Sequence, residues 1–267
     1  MCDSGFPDRW SSPDDRYDAR ELLDKQEDLL GQAEERRLAL LRRGYKLGEV
    51  VLDRADAKKL KFRVEVKSGI DSHNVPTGFT AERLVFLQVE VTDSQGRLVM
   101  TSGDLDANGD VRDLHSSLVN SGDVELDDQL FSLQSRFLLK MIRGGEREQV
   151  LAVNHSIDAL PFVRPESVPT TLTGRPRGGR IHRMGIEPGG RRWARYQAGR
   201  KQLTGPGTYH VSVKLIAGAV PVNLIHAIQG AGFDYGLSAR QIADRILEHH
   251  LVLHVEEFDV EIPGGDG

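Results

Sequence analysis

Residues 60–67 read LKFRVEVK, with Leu60, Phe62, Val64 and Val66 alternating with Lys61, Arg63, Glu65 and Lys67. A period of two sends successive side chains to opposite faces of an extended chain, so this stretch predicts a strand with one face in a core and the other in water. Residues 84–92, LVFLQVEVT, form a second such run. The turn-forming Asp93-Ser94-Gln95-Gly96 and a returning run over 97–101 follow it, the pattern of a β-hairpin with a loop of about four residues. Further strand candidates lie at 148–154, 179–186, 208–216 and 251–262. Six or more strands broken by glycine-rich turns, without regular βαβ alternation, predict a mainly-β protein built as an antiparallel β-sandwich.

Outward from these strands the pattern changes. Between residues 20 and 43, Leu22, Leu23, Leu29, Leu30, Leu38 and Leu41 recur among Glu, Lys and Arg at helical spacings, predicting one amphipathic helix that Gly44 ends. Its leucines require cover, from the following domain or from a partner chain. Ahead of it, 1–16 is rich in Asp, Ser, Pro and Gly and reads as a disordered lead-in, giving the boundaries 1–16, 17–44 and 45–267. Within the last segment, 161–207 is dense in Pro, Gly and Arg and reads as a long excursion. A two-helix insertion is expected over 221–249, where VNLIHAIQGA is short and apolar and Ser238-Ala239-Arg240-Gln241 is a capping box.

The chain has 267 residues, enough for a substantial core, and its charge of −5 offers no overall basic field for nucleic acid. No run approaches the length of apolar sequence that a membrane-spanning helix needs, and the first residues contain no apolar segment of the kind a secretory signal uses. The single cysteine, Cys2, excludes an internal disulfide, a multi-thiolate zinc site and covalent haem attachment through Cys-x-x-Cys-His.

Three constellations carry chemistry. In Ser72-His73-Asn74-Val75-Pro76-Thr77-Gly78, Pro76 holds Val75 extended and Gly78 lets the chain double back, so His73 sits on a restrained loop. It suits either a metal-ligating imidazole or a histidine bonded to its own turn. Asp104, Asp106, Asn108 and Asp110, with Gly109, resemble the first half of a calcium loop, but His115 stands where the helix-loop-helix form wants a bidentate glutamate. Other carboxylates such as Asp113 would complete a weaker site; an Asx-rich hairpin turn uses the same residues. The stretch 175–200, with Arg175, Arg177 and Arg180 and with Trp193 and Tyr196, suits an anionic surface, a prosthetic carboxylate or plain solvation. The histidines form no HExxH pattern, and there is no nucleophile elbow, Walker loop or dinucleotide fingerprint.

Taken in order, HNVPTGF (73–79), LVFLQVEVTDSQGRLVMTSG (84–103), DLDANGDVRDLHS (104–116) and VPVNLIHAIQGAGFDYGLSARQIAD (220–244) resemble the carboxy-terminal β-rich region of multihaem c-type cytochromes, a likeness covering roughly 45–262. The resemblance implies a haem-free module of a periplasmic or extracellular electron-transfer protein or complex, packed on a haem-bearing segment or subunit. The haem c would be held in trans or on a missing segment, because this chain has no CxxCH. Carried over by position, His73 becomes a candidate distal haem ligand and His115 a weaker one; Arg175, Arg177 and Arg180 are candidate propionate contacts because the forked guanidinium suits such carboxylates, and calcium remains a candidate for the acidic loop. Two other readings stand beside it: a free-standing binding domain using the calcium-like loop or the arginines, and a metal-dependent hydrolase in which His73, His115 and Asp104 or Asp106 converge.

Overall fold

The computed structural model describes residues 12–78, 80–140, 146–147, 179–230, 232 and 235–264. The chain divides into two compact units, 1–43 and 44–267. The first contains helix α1, Pro13–Gly44. Its start lies upstream of the leucine pattern because Ser12 and Pro13 supply a start signal. The Ser12 hydroxyl accepts from the Asp15 N–H at 3.1 Å, and proline loses nothing at a first helical position, where no N–H is needed. Asp14 and Asp15 in the first turn and Arg42 and Arg43 in the last complement the helix dipole.

The second unit is an antiparallel β-sandwich. One sheet has the order β1-β2-β8, from β1 (Tyr45–Asp56), β2 (Lys59–Ser68) and β8 (Arg191–Gly199). The other has the order β10-β9-β3-β4, from β3 (Leu84–Asp93), β4 (Leu98–Ser102), β9 (Gly207–Gly218) and β10 (Leu251–Ile262). Short strands β5 (Arg136–Lys140), β6 (Glu146–Arg147) and β7 (Gly179–His182) pair in a further small sheet. Helices α2 (Ser117–Ser121), α3 (Val222–Gly230) and α4 (Ala239–Glu248) and a single 3-10 turn, Thr80–Glu82, complete the described elements.

The alternation in β2 is realised directly, with Leu60, Phe62, Val64 and Val66 all at 0 % exposure. The ring of Phe62 lies 5.5 Å from that of Tyr196 on β8 and 5.7 Å from that of Phe258 on β10, so one side chain touches both sheets. Burying each such aromatic ring removes a large apolar area from water. The β3–β4 hairpin forms antiparallel as its turn residues dictate: Asp93 accepts from the N–H groups of Gln95 and Arg97 through Oδ1 at 2.9 and 3.0 Å, and Gly96 takes φ 74°.

Four strands escaped the sequence pattern, the short β5 and β6 as well as β1 and β8, and the candidate at 148–154 lies outside the described residues. Strand β1 has bulges between Leu47 and Val50 and between Leu52 and Arg54, which break its alternation. At the first bulge Gly48 leaves room for Glu65, whose Oε2 would lie 2.3 Å from an added Cβ. Strand β8 lies inside 161–207, where the apolar content looked too low for a continuous element. Its inward positions alternate through Ala194, Tyr196 and Ala198, mostly small residues that give a weak apolar signal, while Arg191, Arg195 and Gln197 are exposed.

Candidate functional site

The turn after β2 is built to hold a side chain in place. The Ser68 hydroxyl donates to the Ile70 carbonyl at 3.1 Å, and Val75 exchanges two backbone hydrogen bonds with Ile186, at 2.9 and 2.8 Å. The Val75–Pro76 peptide bond is cis, and Gly78 turns the chain at φ 73°. Gly185 faces this bridge so closely that an added Cβ would meet the Val75 carbonyl at 2.9 Å. His73 stands exposed on this turn, its Nδ1 3.1 Å from the Asn74 carbonyl. With the proton on Nδ1 that contact is a donated hydrogen bond, and Nε2 is left as the ring's acceptor, the state a metal-ligating imidazole uses.

The acidic loop has a different construction. Asp106 Oδ1 accepts from the N–H groups of Asn108 and Asp110 at 2.8 and 3.1 Å, and its Oδ2 accepts from the Ser116 hydroxyl. Asp104 accepts from Arg112 at 2.7 Å and from Thr101 at 3.3 Å, and Asn108 donates to Ser117 at 3.2 Å. Asp110 is buried and accepts both the N–H and the side-chain amide of Asn223, at 3.0 Å each, binding the loop to the first turn of α3. Burial pushes its carboxyl up to about 6, with the neighbouring Asp106 charge adding to the effect and the Asn223 hydrogen bonds opposing it. Arg240 on α4 donates to the Ala107 carbonyl at 3.3 Å, and Gly109, at φ 91°, lies against Val222 and Leu247. The loop thus docks the helical pair, two segments joined in space although their sequence separation exceeds a hundred residues. No local signal in the sequence marks the Asp110–Asn223 contact.

His115 is buried beside Asp113. Its Nδ1 lies 2.9 and 3.0 Å from the two carboxylate oxygens, and its backbone N–H donates to the same carboxylate at 2.8 Å. A carboxylate on Nδ1 is the usual device for orienting an imidazole whose other nitrogen works, a pairing that the sequence reading, which took Asp113 only as a candidate calcium carboxylate, did not anticipate. The His115 side chain is only 5 % exposed, whereas His73 stands in solvent. No hydrogen bond joins His73 to His115 or either of them to Asp104 or Asp106, and no group of three or more His, Cys, Asp or Glu side chains is placed to hold a metal ion among the described residues. Arg175 and Arg177 lie outside the described residues; Arg180 is on β7, opposite Leu138 on β5.

No family model matches this chain, and no curated protein matches it. Among solved structures it is similar to a penta-heme cytochrome c552 from Thermochromatium tepidum, at 13 % sequence identity and a TM-score of 0.45, over 84 % of this chain and 41 % of that one. The chain therefore spans less than half the length of that cytochrome. No helix among the described residues is long and apolar enough to cross a membrane.

Proposed function

We propose that this chain is a non-catalytic module of an extracytoplasmic multihaem c-type electron-transfer protein or complex, packing against haem-bearing segments and lending His73 as a distal ligand. The observation that carries the reading is the state of His73. It is exposed on a turn pinned by the Val75–Ile186 bridge, and its Nδ1 lies 3.1 Å from the Asn74 carbonyl, a contact that favours the tautomer with the proton on Nδ1 and Nε2 as acceptor. That turn is HNVPTG, the segment whose likeness to multihaem cytochromes is most specific, together with the late VNL…GFDYG run. A haem supplied by the partner would furnish the one-electron chemistry, and a second imidazole on its iron leaves no open position for a substrate. His115 suits the role less well, since its near-complete burial requires the loop to open before an iron reaches it.

The test uses a c-type haem peptide that carries its own proximal histidine and a vacant sixth position. Titrating the full-length chain into it is expected to convert the high-spin absorption spectrum to a low-spin one; His73→Ala abolishes the conversion and His115→Ala leaves it intact. An unchanged spectrum, or full conversion by His73→Ala, overturns the assignment.

A further inference from the structure

The chain leaves β9 at Gly218, forms α3 and α4, and rejoins the same sheet at Leu251 on β10, opposite Ala217. His250 stands at the root of this insertion. Its ring meets Phe86 of β3 edge-on, with centroids 6.2 Å apart and planes at 68°. It also lies so close to Gly218 that a Cβ added there would meet Nε2 at 2.8 Å. One imidazole thus touches the residue where the insertion departs, belongs to the residue where it returns, and seats both on β3. The His250 N–H donates to the Leu247 carbonyl at 3.0 Å, which couples the ring to the last turn of α4. The two helices are tied to each other as well. His226 Nε2 lies 3.1 Å from the Ala239 carbonyl, and the Gln229 side-chain amide donates to the Leu237 carbonyl at 3.2 Å.

The seat suits only a neutral ring. Nε2 is buried with no hydrogen-bond partner among the described residues. β3 presents Leu84 and Phe86 to it and β9 presents Gly218, none of them charged. On α4, Arg245 and Glu248 pair with each other in solvent at 3.3 Å, and His249 is exposed with its Nδ1 2.7 Å from the Arg245 carbonyl. Arg83, next to Leu84, donates to the Ala219 carbonyl at 3.0 Å. An imidazolium would bring a charge and a second N–H donor into this seat without compensation, and burial lowers the pKa of the ring accordingly.

We propose that His250 is an acid-operated hinge pin: neutral, it clamps the root of the helical pair to β3; protonated, its ring leaves the seat and α3 and α4 open as one unit while both sheets stay folded. The seated ring binds a proton less well than the released one, so opening increases as pH falls below the ordinary imidazole range, by up to about tenfold per pH unit. Asp110, which holds α3 through Asn223, acts in the opposite sense, so the effect is read against a His250 variant that keeps Asp110. The proposal does not depend on the haem reading.

Amide hydrogen exchange of the full-length chain, corrected for the intrinsic pH dependence of exchange, tests it. Amides of α3 and α4 are expected to be at least about tenfold less protected than those of β2, the mark of an opening short of global unfolding. Between pH 7.5 and pH 5.5 their protection in the parent falls by roughly 3–10-fold relative to His250→Gln. A second variant reaches the released state without acid. Gly218 does not take a positive φ, so alanine there is opposed by the His250 ring and not by the backbone. Gly218→Ala is expected to speed exchange of α3 and α4 at pH 7.5 and to remove the pH response relative to His250→Gln, with the β-sheet circular dichroism as in the parent. Helical amides as protected as those of β2, a parent response that matches His250→Gln at both pH values, or a Gly218→Ala chain that keeps the parent's response overturns the proposal.

Discussion

Asp110 shows how a single residue links the acidic loop to the helical pair and makes that link sensitive to pH. Its carboxyl, buried and raised to about 6, is more protonated in the folded chain than in the unfolded one at every pH between its ordinary value and that figure. The folded state therefore gains stability from this group as pH falls from 7 towards 4, and the ionised form costs on the order of 2 kcal/mol above pH 6. Two other groups act in the opposite sense. Burial lowers the pKa of His250, so stability is lost as the ring is forced to protonate below its ordinary range. Asp93, whose burial is outweighed by the N–H groups of Arg97 and Gln95, the Arg97 guanidinium and the Thr204 hydroxyl, is held down at about 2; its contribution is lost as pH falls from about 4 through that value. The comparison that isolates Asp110 is Asp110→Asn, which keeps an oxygen to accept both bonds from Asn223 and deletes the charge. Urea denaturation is expected to find the variant more stable than the parent at pH 7.5 by roughly 1–3 kcal/mol, with the difference shrinking at pH 4.5. A gap that is the same at both pH values would show that ionisation of Asp110 is not its source.

At the scale of elements, legibility followed the strength of local signals. Strand β2, the β3–β4 hairpin, β9 and β10 were readable because their apolar runs coincide with a buried face and end in turn residues. Strand β1 was not, since two bulges shift its register, and β8 was hidden by alanines and arginines in a segment that reads as loop. Helix α4 is the case where a short motif sufficed. The Ser238 side chain accepts the Gln241 N–H at 3.3 Å while Gln241 Oε1 accepts the Ser238 N–H at 2.9 Å, a reciprocal cap visible in four letters. The site divides in the same way. The His73 turn could be read from Pro76 and Gly78, whereas the partners of Asp104, Asp110 and His115 depend on contacts that only the fold brings together. Ser238→Ala is expected to lower unfolding stability by about 1 kcal/mol, and Ser238→Asp to restore most of it by accepting the same N–H. Thermal melts of the two variants beside the parent decide it; equal losses in both would mean that the cap contributes through something other than the accepted hydrogen bond.

For the molecule as a whole, the decisive contact is between sheets. Phe62 is fully buried on β2 and meets Tyr196 from its own sheet and Phe258 from the other, so its ring fills space that neither sheet alone encloses. Removing it leaves a cavity at a layer where both sheets are held by strand pairing, and collapse around the gap is correspondingly limited. Its neighbour offers a control in the same layer. The Tyr196 hydroxyl is buried with no hydrogen-bond partner among the described residues, and burial raises its pKa far above the ordinary phenol value. Deleting that oxygen therefore removes a polar group that is desolvated without compensation. Phe62→Ala is expected to cost about 3–5 kcal/mol in urea denaturation, and Tyr196→Phe to leave stability unchanged or raise it by up to about 1 kcal/mol. A loss above about 1 kcal/mol in Tyr196→Phe would reveal a partner for the hydroxyl in solution. A small effect of Phe62→Ala would mean that the two sheets are held together mainly elsewhere, by contacts such as the His254 Nε2 to Tyr45 carbonyl bond at 2.7 Å that ties β10 to β1.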